Sequence, residues 1–412
     1  MLHYLEMKTA HRCLLTFCLL TLVFSGAGFA VDWPCWRGPS RNGISEETGW
    51  TAQWPSGGPR QLWKANVGTG CSSVSVCEGR LFTMGNANET DTVFCLDAMT
   101  GREIWKHSYA CPLAPNLFEG GPGSTPVVDA GRVYSLSREG DLFCLEAASG
   151  KLLWKTNLKS DFSPKTIKWG YNASVLIWNN LAIIDVGSPD AQTVAFDKVT
   201  GNVVWKGGSE PASYGTAMPF ADSGRTLVTS FNGFGLGLLD AKDGREVAKF
   251  PWKTQYEINA ATPIVSGNKI FISSGYNHGC ALLEFQSGTL TKIWENKKMR
   301  NQFSSSVLYK DCLYGFDDKS LACLDFATGE EKWREEGLGL GSLMLADGKL
   351  IINSSKGELV LAEASPAAYK ELARASVVPG AKNCWVVPVL ANGRIYCKNN
   401  KGDIVCVDAG GK

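Results

Sequence analysis

Histidine is scarce in this 412-residue chain, with four in all and only His107 and His278 beyond residue 30. A His-based triad or a multi-histidine metal centre has little to draw on, and both histidines read as ordinary loop residues. There are no adjacent cysteines, no Cys-x-x-Cys pair, no G-x-S-x-G elbow and no P-loop. Their absence removes the local signatures of a structural metal, a hydrolase nucleophile and a phosphate cradle. The runs GFGLG (Gly233 to Gly237) and GLGLG (Gly337 to Gly341) are followed by strand-type sequence rather than a helix, so the dinucleotide-binding mechanism is not open to them. Neither charge sign dominates. Without residues 1–30 the chain carries 39 basic and 39 acidic side chains, a balance that argues against nucleic acid or an anionic membrane surface as partner.

Long apolar runs are also missing. The one apolar stretch, Cys13 to Phe24, falls short of the ~20 residues that span a bilayer. Lys8 and Arg12 precede it and the small residues of Ser25 to Ala30 follow, so residues 1–30 read as a secretory signal cleaved after Ala30, with Met1 or Met7 as the start. No cysteine suited to lipid attachment follows the run. The expectation is a soluble exported protein, periplasmic or secreted, with no transmembrane anchor, and a monomer.

What the chain has in abundance is one repeated pattern. An apolar strand ends in an acid, a Gly turn follows, and a second strand carries Trp: FCLDAMTGREIW (Phe94 to Trp105), FCLEAASGKLLW (Phe143 to Trp154), VAFDKVTGNVVW (Val194 to Trp205) and ACLDFATGEEKW (Ala322 to Trp333). Weaker copies place the remaining acids at Asp240, Glu284, Glu363 and Asp408, giving units of 38 to 51 residues. A strand-and-turn period of this size predicts a β-propeller. Eight acids, and eight upstream strands of the GRLF type (Gly79 to Phe82), predict eight four-stranded antiparallel blades. Shorter runs such as Ser72 to Val76 and Ser124 to Val128 supply the innermost strands. The last unit stops without its Trp strand, whereas QLWKANVG (Gln61 to Gly68) stands alone ahead of the first, so this N-terminal strand completes the eighth blade and closes the ring. The expected organisation is a signal over residues 1–30, a non-repeat segment over 31–60 and the all-β propeller over 61–412.

Within the repeat the glycines suit a tight hairpin and the Trp residues suit packing between blades. Cys95, Cys144, Cys323 and Cys406 share one repeat position and read as small buried strand residues. Export permits disulfides, for instance Cys71 with Cys77, without fixing a connectivity. Ala364 to Val378 carries Ser365 and Pro366 ahead of helix formers and predicts a helix in place of the seventh Gly turn.

The loops entering the innermost strands converge at the channel mouth, where propellers bind ligands. Aligning the repeats places Trp169, Tyr171, Asn172, Tyr214, Glu257, Asn259, Arg300, Asn301, Gln302 and Trp385 there. This set of aromatic, amide and charged groups suits a planar or sugar-like ligand, or a water-filled channel. No catalytic residue and no metal ligand is assigned from the residues themselves.

The acid-x-x-x-Gly-x-x-x-Trp hairpin resembles the repeat of quinoprotein-type propellers, the pyrroloquinoline quinone (PQQ) repeat family, across nearly all of Gln61 to Asp408. The segments Asp32 to Ser45 and Cys384 to Asp408 are similar to exported bacterial members with a single eight-bladed ring. The resemblance implies one of two functions. In the quinoprotein alcohol dehydrogenases, PQQ and calcium sit in the channel, which would make Glu257 or Asn259 calcium ligands and Trp169 or Trp385 the stacking residue; their vicinal disulfide has no counterpart here. The other branch resembles the scaffold lipoprotein of the outer-membrane barrel assembly machinery, which binds its partner through loops on one face. The expectation is a non-catalytic binding or scaffold module of the cell envelope, without cofactor, whose partner is an envelope protein or a glycan. A PQQ- and calcium-dependent alcohol or sugar dehydrogenase, and a carbohydrate-binding propeller, are the alternatives.

Overall fold

The computed structural model describes residues 31–116, 118–165, 167–410; the signal-peptide reading therefore lies outside the described residues. Eight antiparallel sheets form the blades of a β-propeller, seven with four strands and one with a fifth, short strand added. Blade 1 runs through Ser75–Cys77, Arg80–Ala87, Thr90–Asp97 and Glu103–Ala110. Blade 8 is assembled from Val389–Ala391, Arg394–Lys398 and Asp403–Asp408, with Gln61–Asn66 as its outer strand in the register Trp63 to Cys406. The ring is closed by the N-terminal strand.

Each blade buries its faces against its neighbours, so the core is divided into clusters between blades rather than gathered at the axis. The hairpin chemistry explains the recurring pattern. Asp97 Oδ1 accepts from the backbone N–H of Met99 and Thr100 and from the Thr100 hydroxyl, while the N–H of Gly101 bonds the Asp97 carbonyl. Asp197 repeats this with Val199 and Thr200. The hydrogen bonds from Thr100 hold the Asp97 carboxyl below its usual range. The repeated acid is thus a turn-forming residue.

On the far side of the turn, Cys95 pairs with Trp105 and Leu96 with Glu103, so Ile104 is an extra residue on the outer strand. Such a bulge re-aims the side chain beside it, and the indole turns toward the next blade. Trp105 Nε1 donates to the Ala147 carbonyl at 3.0 Å, and a methyl placed on Gly150 would stand 2.6 Å from the ring. Trp63 takes the same seat over Gly101, Trp154 over Gly201, Trp205 over Gly244 and Trp294 over Gly329. These glycines are required twice, by positive φ and by contact with the indole. Blade 4 carries Ala248 at the Trp position, and Phe285 and Leu290 belong to the cluster it packs against.

Four sequence expectations need correction. Glu371–Ser376 is not helical; it is the outer strand of blade 7, pairing Ala373 with Leu361. Sheet pairing outweighs the modest helix propensity of this segment, and the preceding loop instead offers the Ser365 carbonyl to Trp333 Nε1 at 2.7 Å. The innermost strands are shorter than expected, three residues in blades 1 and 2. Cys71 and Cys77 are both free: Cys77 is in the inner strand of blade 1 and Cys71 in the loop four residues ahead of it, facing the channel; all twelve cysteines among the described residues are free. His107 is a strand residue, not a loop one. The shared-position cysteines are buried as expected, and burial pushes the Cys95 thiol up to about 12, which makes it unreactive.

Candidate functional site

The N-terminal segment that precedes the ring crosses one end of its channel. Trp33 bridges Val76 of blade 1. The Pro34 carbonyl accepts from Val128 N–H in blade 2, and Arg41 Nη2 donates to the Ile177 carbonyl in blade 3 at 2.7 Å. Arg37, buried, donates to the Ser306 carbonyl at 2.8 Å, and burial lowers its pKa to about 10 without discharging it at neutral pH. Ile44–Ser45 then adds a parallel strand to blade 7. Between these anchors Trp36 reaches the axis, where its Nε1 donates to Thr262 Oγ1 at 2.9 Å. On the other side of Trp36, between Trp33, Arg37 and the inner strands, lies a pocket of about 10 Å³, barely room for one water. The N-terminal segment, bonded to blades 1, 2, 3, 6 and 7, thus caps this end of the channel.

Above Trp36 lies a cavity of about 390 Å³, within the range of small-molecule sites. Every blade contributes one shared register position to its wall. Cys71, Gly123, Asn172 and Tyr214 supply it from blades 1 to 4, and Ala260, Phe303, Leu340 and Trp385 from blades 5 to 8. Two residues further along runs a layer of hydroxyls that links blade to blade. Ser73 N–H donates to Thr125 Oγ1, Thr125 N–H to Ser174 Oγ, Ser174 N–H to Thr216 Oγ1, and Thr262 N–H to Ser305 Oγ, all at 2.9 to 3.1 Å. Ser73 and Ser342 hydroxyls donate to the Val387 and Val386 carbonyls. These lateral bonds explain the short innermost strands: backbone N–H groups expected to pair within a blade bond to the next blade instead.

Among the sequence-predicted residues the structure brings Trp169, Asn172, Tyr214, Gln302 and Trp385 to this cavity. Trp169 meets Tyr214 edge-on at 6.1 Å, and Trp385 stacks on Phe303 at 4.2 Å. The other five are committed elsewhere. Tyr171 is buried and donates its hydroxyl to the Val186 carbonyl. Asn259 and Asn301, both buried, tie their loops to neighbouring strands through the Asn232 and Phe316 carbonyls and accept from Ser274 and Ser306 hydroxyls. Arg300 makes a two-pronged ion pair with buried Asp317, which Arg334 joins at 2.6 Å. Burial opposes charge on Asp317, but the two guanidiniums outweigh it and hold the carboxyl below its usual range. Glu257 lies at the rim, paired with Lys165 at 2.9 Å. The sequence reading missed Trp36, Asn116, Phe118, Tyr276 and Phe303; the Trp36 signal was an aromatic and Gly-rich stretch outside the repeat.

A closed ring of acid, Gly and Trp hairpins around a capped aromatic channel defines the molecule as a PQQ-repeat β-propeller. The chain belongs to the PQQ_2 family, described as outer membrane protein assembly factor BamB, whose model matches residues 89–335. No curated protein matches it. Among solved structures it is similar to BamB from Moraxella catarrhalis, at 16% identity over 85% of this chain and 99% of that one, TM-score 0.61. It is also similar to the quinohemoprotein alcohol dehydrogenase of Comamonas testosteroni, at 14% identity over 92% and 81% of the two chains, TM-score 0.69. A computationally designed protein, Ika8, matches at 11% identity over 85% and 99%, TM-score 0.59. At these identities the likeness is one of fold.

The cavity does not fit PQQ and calcium. PQQ carries three carboxylates, yet no Lys, Arg or His lines the cavity to meet them, and no Asp or Glu lines it to hold the metal. No cluster of three or more metal-ligating side chains occurs among the described residues. Asn259 and Glu257, the calcium ligands implied by resemblance, are respectively hydrogen-bonded within the protein and paired with Lys165.

Proposed function

We propose that this chain is an exported, non-catalytic binding module of the cell envelope, acting as a monomer and holding an envelope protein or glycan at the cavity mouth. The single observation that carries the reading is the capped cavity itself, aromatic and amide-lined, with no ionisable acid or base from Asp, Glu, His or Lys on its wall. Such a lining recognises, and its buried titratable groups are poor bases at neutral pH, since burial pushes the Cys71 thiol and the Tyr214 hydroxyl up to about 12. Membership of the BamB-described family supports an envelope role, and no helix among the described residues is long and apolar enough to cross a membrane. The eight blades hold the loops rigidly, so binding costs little ordering entropy.

The test is a titration of the purified protein with PQQ and calcium, following heat and quinone absorbance, together with an alcohol and sugar oxidation assay using an artificial electron acceptor. The expected result is no calcium-dependent PQQ binding and no turnover. Tight calcium-dependent PQQ binding with turnover would overturn the reading.

A further inference from the structure

The cavity lining also restricts the chemistry of what it holds. We infer that the cavity is a site for a neutral saccharide, seated between aromatic faces above Trp36; this rests on the binding-module reading.

No charged side chain lines the cavity, and those nearest its mouth make other contacts. Glu119 accepts from Asn383 and Asn400, Arg138 donates to the Leu113 and Ala114 carbonyls, and Lys168 sits 4.6 Å above the Trp169 ring. A charged ligand entering the cavity would lose hydration and gain no counter-charge, a cost of several kcal/mol. A purely apolar ligand is disfavoured for the opposite reason. Asn172 commits its amide N–H groups to the Trp169 and Gly170 carbonyls, leaving its Oδ1 without a partner among the described residues. The Gln302 amide is likewise uncommitted among them. The hydroxyls of Ser174 and Thr216 accept from neighbouring blades, and each keeps its own O–H to donate. Covering these groups with hydrocarbon would leave them unsatisfied at ~1–3 kcal/mol each.

A ligand must therefore combine apolar faces with several uncharged donors and acceptors around its edge. A pyranose has this character, with C–H faces and equatorial hydroxyls. Tyr214 of blade 4 and Trp385 of blade 8 stand on opposite sides of the eight-bladed ring, each backed by a second aromatic, Trp169 and Phe303. Aromatic walls on two sides suit the apolar C–H faces of a sugar ring held over Trp36.

The experiment titrates the full mature chain with a panel of neutral di- and trisaccharides of the gluco, galacto, manno and N-acetylhexosamine types, and with a galacturonic acid dimer, by calorimetry and tryptophan fluorescence. At least one neutral sugar should bind saturably, and at least about tenfold tighter than the acidic dimer, equivalent to ~1.4 kcal/mol. Trp169→Ala and Gln302→Ala should each weaken that binding at least about tenfold with unchanged thermal unfolding. The inference fails if no neutral sugar binds, if the acidic dimer binds equally, or if both stably folded variants bind as the parent does. PQQ binding with turnover would instead bring down the module reading beneath it, so the two failures are distinct.

Discussion

Replacing Gly150 by Ala and Gly288 by Ala separates backbone strain from blade-to-blade packing. Both glycines have positive φ, +73° and +82°, so each substitution carries the left-handed penalty of ~1–2 kcal/mol. They differ in what the new methyl meets. At Gly288 nothing lies within 4 Å, whereas at Gly150 the methyl would stand 2.6 Å from the Trp105 ring. The indole cannot retreat freely: it is 8% exposed, its N–H is bonded to the Ala147 carbonyl, and it packs at 5.9 Å against Phe82. Overpacking of this kind adds ~1–3 kcal/mol, which puts Gly150→Ala at ~2–5 kcal/mol and Gly288→Ala at ~1–2. Urea unfolding of both variants at matched m-values measures the gap. Trp105→Ala should cost ~3–5 kcal/mol, and in its background Gly150→Ala should fall back to the Gly288 value. If the two glycine variants cost the same to within about 0.5 kcal/mol, the indole seat does not hold the blades together and the explanation of the repeat given above is wrong.

Asp185, buried between blades 3 and 4, accepts from Thr193 Oγ1 and Ser230 Oγ, but burial outweighs these donors and pushes its carboxyl up to about 6. The unfolded carboxyl titrates near ~3.9, so the folded chain holds an extra proton between these values. This site therefore stabilises the fold as pH falls from 7 toward 4, and costs on the order of 2–3 kcal/mol above pH ~6. Thermal unfolding of Asp185→Asn should lose that pH slope, and a profile parallel to the parent's would refute the assignment. Deleting residues 61–66 should lower the melting temperature of the whole ring, because it bares the edge of Asp403–Asp408 and empties the indole seat over Gly101; an unchanged melt would refute strand closure.

The blades were legible because their hairpin chemistry is local. Acid, Gly and Trp lie within one short segment, and each has a reason that can be read without knowing the neighbours: turn capping, positive φ and a large apolar face. The failures came where a segment's partner lies outside the repeated hairpin motif. Residues 371–376 carry a respectable helical composition, yet their strand partner is only nine to eighteen residues away and the whole ring requires a fourth strand there. The inner strands lost residues to a lateral layer in which Ser73 bonds Thr125 and Thr125 bonds Ser174, contacts that no single repeat contains. Trp36 lies outside the repeat altogether and finds Thr262 across 226 positions of sequence.

The site list failed in a more instructive way, by register. In an extended segment successive side chains point to opposite sides, so in blades 3 and 5 the loop that enters the inner strand sorts its residues alternately toward the axis and into the blade, whereas in blade 6 adjacent Gln302 and Phe303 both line the cavity. Asn172 faces the cavity and its predecessor Tyr171 is buried against Val186; Ala260 faces it and Asn259 is tied to Asn232. Polar character alone therefore selected the structural amides along with the lining ones. Counting back two residues from the hydroxyl layer selects the lining position in every blade that has a hydroxyl there. That position is also where the ring departs most from its own symmetry. Blades 1, 2 and 5 place Cys71, Gly123 and Ala260 there, while blades 4, 6 and 8 place Tyr214, Phe303 and Trp385. The hydroxyl recurs in seven of the eight blades, where it serves the joining of neighbours, but nothing in the joining constrains the layer above it. Specificity can vary at that level without cost to the fold, and the large side chains of three blades against the small ones of three others give this cavity an asymmetric shape that a ring of equal repeats would not have.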